Sequence, residues 1–435
     1  MALGGGTFVT QNKVLPGAYM NFVSAATATD SLSDRGVAAM ALELDWGNSE
    51  DIFTVSNTDF HKKSLEIFGY KYDHEKLKGL RDLFKNIKTL HAFRLNGTGV
   101  KASNTYATAK YAGTRGNDLK TVIKKDVDQP DKFIVLTVLD GDVMDRQLVT
   151  SAAELVSNDY VDFKKDAQLT VAAGVPLTTG SNAGVSISDH QKFLEKAESY
   201  QFNAIGAVST DSATKELYIS YCKRMRDEIG SKFQTVVYDK AADFEGVINL
   251  KNRVTDSGLS EASLVYWVTG ITAGCAVNKS NLNKIYDGEF SVDVNYTQDQ
   301  LATAIKSGEF ILHRVGADVR VLEDINSLVS TTEAKGEVFK DNQTIRVIDQ
   351  IANDIAVLFN TKYLGVIPND AAGRVSLWTD VVKHHAALQD IRAIENFKDE
   401  DVKISEGGDK KTVVITDAIT VVNSMSKLYM TVTVA

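Results

Sequence analysis

The spacing of apolar residues divides the chain into stretches of different character. GVAAMALEL, residues 36–44, is a run of small and branched side chains that reads as a buried strand. Amphipathic helices follow around 58–68 and 73–88, and HAFRLNG (91–97) resumes extended structure. KFIVLTVLDGDVMDRQLV sets Asp140-Gly141 between two β-rich runs, which predicts a tight hairpin. LTVAAGVPLTTGSNAG closes that stretch, so an all-β module is expected here, inserted into the chain and projecting from it.

After Ser188 the period lengthens. Ser188 is expected to cap the helix DHQKFLEKAESY, which leads into the strand FNAIGAV. A long helix over 212–229 stops at Gly230 and precedes the strand FQTVVYD. Another helix begins near Ser260, and Thr297 with Gln300 forms a capping box for TQDQLATAIKS. FILHRVG and VRVLEDI read as further strands. Strands alternating with helices predict a mostly parallel sheet covered by helices.

Two strong helices come next. Ile345, Ile348, Ile351, Ile355, Leu358 and Phe359 mark the first, ending near Gly365. Val375, Trp378, Val382, His385, Leu388 and Ile391 mark the second, after Pro368-Asn369-Asp370. The hairpin VKISEGGDKKTVVI turns at Gly407-Gly408. The last stretch, KLYMTVTVA, puts Leu428, Met430, Val432 and Val434 on one side and Tyr429, Thr431 and Thr433 on the other, a strand signature. Residues 1–30 read as an arm: glycines 4–6, an apolar stretch over 14–23, then the linker SAATATDSLSD. Fully extended, 25 such residues reach roughly 80 Å.

The reading is therefore α/β, a mixed α+β multidomain chain. It divides into an arm and linker (1–30), the N-terminal part of the core (31–97), the inserted β module (98–178), a central α/β domain (179–335), a C-terminal domain (336–426) and a final strand (427–435).

Composition narrows the function. Hydrophobic residues make up 43% and charged residues 24%, well away from the disordered regime. Lys and Arg total 48 against 57 Asp and Glu, and the net charge of −9 argues against nucleic acid as the main partner. It also suits a protein that stays soluble before assembly. The N-terminal stretch lacks the features of a secretory signal, and the most apolar run, residues 263–277, is too short to span a bilayer and holds two glycines. Cys222 and Cys275 are expected to be small buried hydrophobes in a reducing, cytoplasmic setting.

Candidate chemistry does not accumulate. There is no GxSxG and no GxxxxGK[ST], and Gly97-Thr-Gly99 lacks the third glycine of a dinucleotide loop. The seven histidines are scattered; His384 and His385 are neighbours, about 100° apart on a helix, and cannot share one metal. His74-Glu75 lacks a second histidine because position 78 is lysine. Residues 140–145, DGDVMD, lack the glycine and glutamate of a calcium loop and read as a solvated hairpin tip. Trp267 and Trp378 read as core. No catalytic, cofactor-binding or metal residue is expected, and no cofactor.

Several stretches together carry a resemblance: VLPGAYMNFVS, GVAAMALELDWG, YATAKYAGTRGNDLK, YWVTGITAGCAVNKSNLNKIYDG, FILHRVGADVRVLEDINSL, NQTIRVIDQIANDIAVLFNTKYLG, RVSLWTDVVKHHAALQDIRAIENF and SKLYMTVTVA. In this order, over essentially the whole length, the chain resembles the contractile phage tail sheath proteins of Gram-positive myophages, defective prophage tails and R-type bacteriocins.

The resemblance implies a structural subunit with no enzymatic activity. It implies a subtilisin-like α/β domain, an inserted β-sandwich or barrel-like module, a C-terminal helix-plus-hairpin domain and extended terminal arms. The implied partners are further copies of the chain, as a helical homo-oligomer of stacked hexameric rings, the tail tube protein it surrounds, and baseplate and tail terminator proteins. Neither nucleic acid nor direct membrane insertion is implied. In the family the arms donate strands to neighbouring subunits; the matching positions are Val14, Leu15, Pro16, Gly17, Tyr19, Asn21 and Phe22, and Leu428, Tyr429, Met430, Thr431, Val432, Thr433 and Val434. The long helices after Asn342 then become core and tube-facing surface. The implied location is a virion or tail-like particle, assembled in the host bacterial cytoplasm and released by lysis. The competing readings are a hydrolase built on the central α/β region and an adhesin-like surface module.

Overall fold

The computed structural model describes residues 32–434. They divide into two compact units: residues 34–353 with 421–434, and residues 32–33 with 354–420.

The larger unit opens with β1 (Val37–Leu42), β2 (Phe53–Ser56), α1 (Asn57–Phe68), α2 (Lys78–Phe84) and β3 (Thr89–Arg94). Ser56 caps α1 and Gly69 ends it in the left-handed region, at φ 79°. The second helix is shorter than the periodicity predicts. A 3-10 turn over Glu75–Leu77 precedes it, and the chain leaves it at Lys85.

The inserted module follows: β4 (Lys101–Ser103), β5 (Ala107–Ala112), β6 (Leu119–Lys125), β7 (Phe133–Leu139), β8 (Asp142–Val149), β9 (Val161–Phe163) and β10 (Ala172–Pro176). They form two sheets, β4-β5-β9 and β10-β6-β7-β8. Leu119, Ile123, Val135 and Leu139 from one meet Ala107, Ala109, Val161 and Phe163 from the other. The Asp140-Gly141 hairpin forms as the sequence predicts, both residues at positive φ (53° and 90°). Its tip is not merely solvated. The Asp140 carboxylate pairs with the buried guanidinium of Arg115, and Asp142 with Lys71 at 2.8 Å.

The chain then returns through α3 (Ile187–Ala197), β11 (Ala204–Ala207), α4 (Ser212–Arg224), β12 (Gln234–Tyr238), β13 (Val247–Leu250), α5 (Val265–Gly274), α6 (Gln298–Lys306), β14 (Glu309–Phe310), β15 (Leu312–Val315) and β16 (Asp318–Val321). One seven-stranded sheet collects strands from both sides of the insertion, in the order β14-β13-β12-β11-β1-β3-β2. Its pairings are parallel except β2 with β3.

Strand alternation sorts its side chains to two faces. Ala38, Met40, Leu42, Val236 and Ile248 pack against α1, α2 and α5, whereas Ala39, Ala41, Ile205 and Val237 pack against α3 and α4. The two glycines in the apolar run over 263–277 let α5 lie backbone to backbone on α2. A Cβ at Gly274 would stand 1.8 Å from the Asn86 carbonyl oxygen, and one at Gly270 2.8 Å from that of Leu83. Among the described residues no helix is long and apolar enough to cross a membrane.

Several local expectations shift. Ser186, not Ser188, caps α3, with Asp189 completing its capping box. The helix predicted to Ile229 becomes π-helical from Met225, and Gly230 ends it at φ 92°. β13 went unpredicted because VINL is short and fully buried, without alternation. FILHRVG and VRVLEDI both form strands as expected: Phe310 joins the main sheet in β14, and β15 and β16 pair with each other.

Helix α7 (Asn342–Leu358) begins in the larger unit and passes into the smaller one at Asp354. There follow α8 (Ala371–Asp390), capped by Asp370, then β17 (Ile394–Glu395), β18 (Lys403–Glu406) and β19 (Val413–Thr416). The core of the smaller unit joins Leu358, Tyr363, Leu377, Val381 and Val402, with Trp378, Ile404, Val413 and Ile415 packed against it. The buried stripe of α8 therefore runs through Leu377, Val381, His384, His385 and Leu388, while Val375 is 61% exposed. β18 and β19 make a two-stranded antiparallel hairpin, and no third strand flanks it among the described residues.

Candidate functional site

In an open α/β sheet a ligand site is sought where the strand order reverses, beyond the carboxyl ends of the strands. That place lies between β1 and β11, and a crevice of about 890 Å³ occupies it. Several of its polar groups are committed to local structure. His74 Nδ1 accepts from the Lys76 amide at 3.1 Å, and Ser209 Oγ from the Asp211 amide at 3.1 Å. Asp211 caps α4 by accepting from the Thr214 amide at 2.7 Å, and Asp256 pairs with Lys78 at 3.2 Å. These groups form no nucleophile–base–acid relay.

The histidines serve as packing groups. His190 meets the Tyr218 hydroxyl at 3.0 Å and His91 that of Thr54 at 2.9 Å. His384 Nε2 lies 3.0 Å from Asp354, and His385 Nε2 2.7 Å from Asp417. Among the described residues no cluster of three or more His, Cys, Asp or Glu is arranged to hold a metal ion. Cys222 lies in α4, and burial pushes its thiol up to about 11, so it is a packing residue. Cys275 caps the end of α5 and is only partly buried.

The most strongly displaced acid is Asp82 on α2. Burial raises its carboxyl to about 6, and it accepts from the Tyr286 hydroxyl and the Glu289 amide, each at 2.8 Å. Beside it, Arg81 grips Glu289 with two bonds of 2.8 and 2.7 Å. These contacts fasten the 286–290 loop to α2.

The feature that stands apart is the C-terminal segment. Residues 422–424 are bonded to the first turn of α7, and among the described residues 425–434 pair with no strand and form no helix. Leu428 is 87% exposed, Tyr429 90% and Val434 89%, and Met430, Thr431, Val432 and Thr433 are exposed as well. A row of large apolar groups held in water is unfavourable by roughly 1.5–3 kcal/mol for each side chain that burial would relieve. The segment is thus a strand sequence without a sheet. The N-terminal candidates, Val14, Leu15, Pro16, Gly17, Tyr19, Asn21 and Phe22, lie outside the described residues.

Comparison with known proteins meets this architecture along its length. The model of the phage tail sheath central domain matches residues 183–327 and that of the sheath C-terminal domain residues 334–435. The sheath β-sandwich domain matches 97–182, and the domain III N-terminal region of the tail sheath protein Gp18 matches 35–95. The phage-like element PBSX protein XkdK of Bacillus subtilis is 32% identical over 469 aligned residues, covering 99% of this chain and all of the relative. A solved sheath tail protein from Desulfitobacterium hafniense is 36% identical, with a TM-score of 0.83 over 95% of this chain and 99% of that one. The helical sheath of the anti-feeding prophage in its contracted state shares the fold, at a TM-score of 0.56 and 13% identity, over 97% of this chain and 99% of its own.

The chain belongs to the phage tail sheath protein family. It is a structural subunit of a tail sheath, a component of a phage-tail-type contractile particle, and not an enzyme.

Proposed function

We propose that this subunit polymerises as stacked hexameric rings around a tail tube and that rearrangement of the rings drives the tube through a cell envelope. The observation that carries this reading is the pairing of two incomplete elements in one chain. One is an exposed apolar strand sequence, 425–434. The other is the hairpin β18–β19, whose outer backbone edges meet no further strand among the described residues.

Strand addition satisfies bare edges and buries alternate side chains, here Leu428, Met430, Val432 and Val434. Each ladder bond adds roughly 0.5–1.5 kcal/mol net, and repetition over a polymer makes the tether durable. The N-terminal candidates over 14–22 would donate a second strand in the same way. Such tethers keep subunits joined while their cores change neighbours, so contraction proceeds without disassembly and without a nucleotide. The anti-feeding prophage structure that shares this fold is described as a helical sheath in a contracted state, which fits a helical polymer.

On this reading the partners are the chain itself, the tail tube protein, baseplate and terminator proteins. The subunit assembles in the host cytoplasm and leaves by lysis. Residues 98–178 act as one module, 179–335 and 31–97 as the body, and 336–426 as the domain nearest the tube. The test is negative-stain electron microscopy of the purified full chain. Tubes or stacked rings are expected; a protein that stays monomeric at high concentration with its tube partner supplied would overturn the reading.

A further inference from the structure

We infer that Gln343 and Thr344 form a clamp on the root of the C-terminal segment, passing tension from a docked strand into the α/β body through α7. This rests on the reading that the segment is donated to another subunit.

The geometry begins with a side chain doing the work of a backbone. Gln343 is 2% exposed, and both ends of its carboxamide face the segment. Nε2 donates to the Val422 carbonyl oxygen at 3.0 Å, and Oε1 accepts from the Ser424 amide at 3.0 Å and its hydroxyl at 3.1 Å. One carboxamide thus bonds the carbonyl of one residue and the amide two positions on, as a neighbouring strand does. Between them, the Asn423 side chain meets the Thr344 hydroxyl, Nδ2 donating at 3.2 Å. Beyond Ser424 the side chains face solvent: Met425 is 98% exposed. The free segment is ten residues, 425–434, and reaches roughly 33 Å when extended.

The clamp stands on a rigid base. Asp341 Oδ1 accepts from the amides of Gln343 and Thr344 at 2.7 and 3.1 Å. Asn342 donates to Asp324 at 3.0 Å and accepts from Gln234 of β12 at 2.7 Å. One turn on, Arg346 bonds Asp324 at 2.8 Å, and further along Asp349 takes a two-pronged grip from Arg226 at 2.6 and 2.7 Å. All four charged groups are at most 6% exposed. A pull along residues 425–434 therefore meets the carboxamide first, then α7, then two buried ion pairs joined to the sheet. Without the clamp, residues 422–424 become slack.

The test compares Gln343→Ala, Thr344→Val and a deletion of residues 427–435 with the full chain. Gln343→Ala should speed amide exchange at Ser424 about tenfold in the unassembled protein, leaving sheet amides unchanged. Its polymers should need several-fold more protein to form and should come apart at lower urea. Thr344→Val should move the same readouts in the same direction by less, and it replaces Gln343→Ala as the deciding variant should that one lose helix content. Loss of polymer on deletion together with unaltered assembly and urea resistance in the clamp variants would overturn the clamp while sparing strand donation. Polymers that survive the deletion would overturn both.

Discussion

The seven-stranded sheet and the hairpin β18–β19 handle their edges in opposite ways. The large sheet is covered on both faces, and its margins are short: β14 has two residues and β2 four. Short margins give a foreign strand little to pair with. The hairpin has two four-residue strands and, among the described residues, no flanking strand, in a chain that also carries an unpaired strand sequence. One sheet is finished within the subunit; on the proposed reading the other is completed by a neighbouring copy. That reading would place monomer stability and polymer stability in different residues.

The comparison breaks most visibly at the segment itself. Deleting residues 427–435 should leave helix content and the unfolding midpoint near those of the full chain, yet abolish polymers in electron micrographs. A collapsed monomer would show that the segment completes its own fold. Val432→Pro should weaken polymerisation strongly but not wholly, since proline removes one ladder donor.

The opposite pattern is expected inside the body. Asp349→Ala leaves the Arg226 guanidinium buried without its partner, and breaking such a pair costs about 3–5 kcal/mol. Urea unfolding of the unassembled chain should show that loss. An Asp349→Ala chain that unfolded like the unsubstituted monomer and lost only the polymer would erase the proposed division.

Smaller still is the effect of Asp82. Its carboxyl, fully buried and raised to about 6, is favoured by the fold in its protonated form. Its contribution is complete below the unfolded carboxyl value near 3.9 and is lost as pH rises through 6, in total roughly 2–3 kcal/mol. Denaturation of Asp82→Asn should lack that step between pH 4 and 7, and a curve parallel to the unsubstituted chain would refute the assignment. Least of all is Asp142→Ala. Its ion pair with Lys71 is more than half exposed on both sides, so the substitution should leave the thermal midpoint almost unchanged.

Much of this was legible in the residues. Capping at Thr297, the stop at Gly230 and the Asp140-Gly141 turn are local signals, and each stands where local chemistry puts it. What sequence missed depends on tertiary context. VINL has no period to detect because both faces of β13 are covered. The α8 stripe was misplaced around Val375 because a helix packed over only part of its length need not bury every apolar position. The alternation over 428–434 is plain in the sequence, but the described residues there form no strand, and its docking is the proposal above. The hitch at Gln343 was not legible, because a glutamine on an apolar helix carries no mark of what its carboxamide will bond, and residues 343 and 424 are 81 positions apart.

The two crossings into the β module meet side by side. Val100 bridges Ser181, Ser103 bridges Thr178, and the Ala183 amide donates to the Asn96 carbonyl oxygen at 3.1 Å. Arg94, 1% exposed, seals the join by bonding the carbonyl oxygens of Gly47 at 3.0 Å and Ala112 at 2.7 Å. An excursion that leaves and re-enters through one doorway asks nothing of the register on either side of it. Evolution can treat residues between those bridges as a cassette, lengthening, trimming or exchanging it while the sheet keeps its strand order.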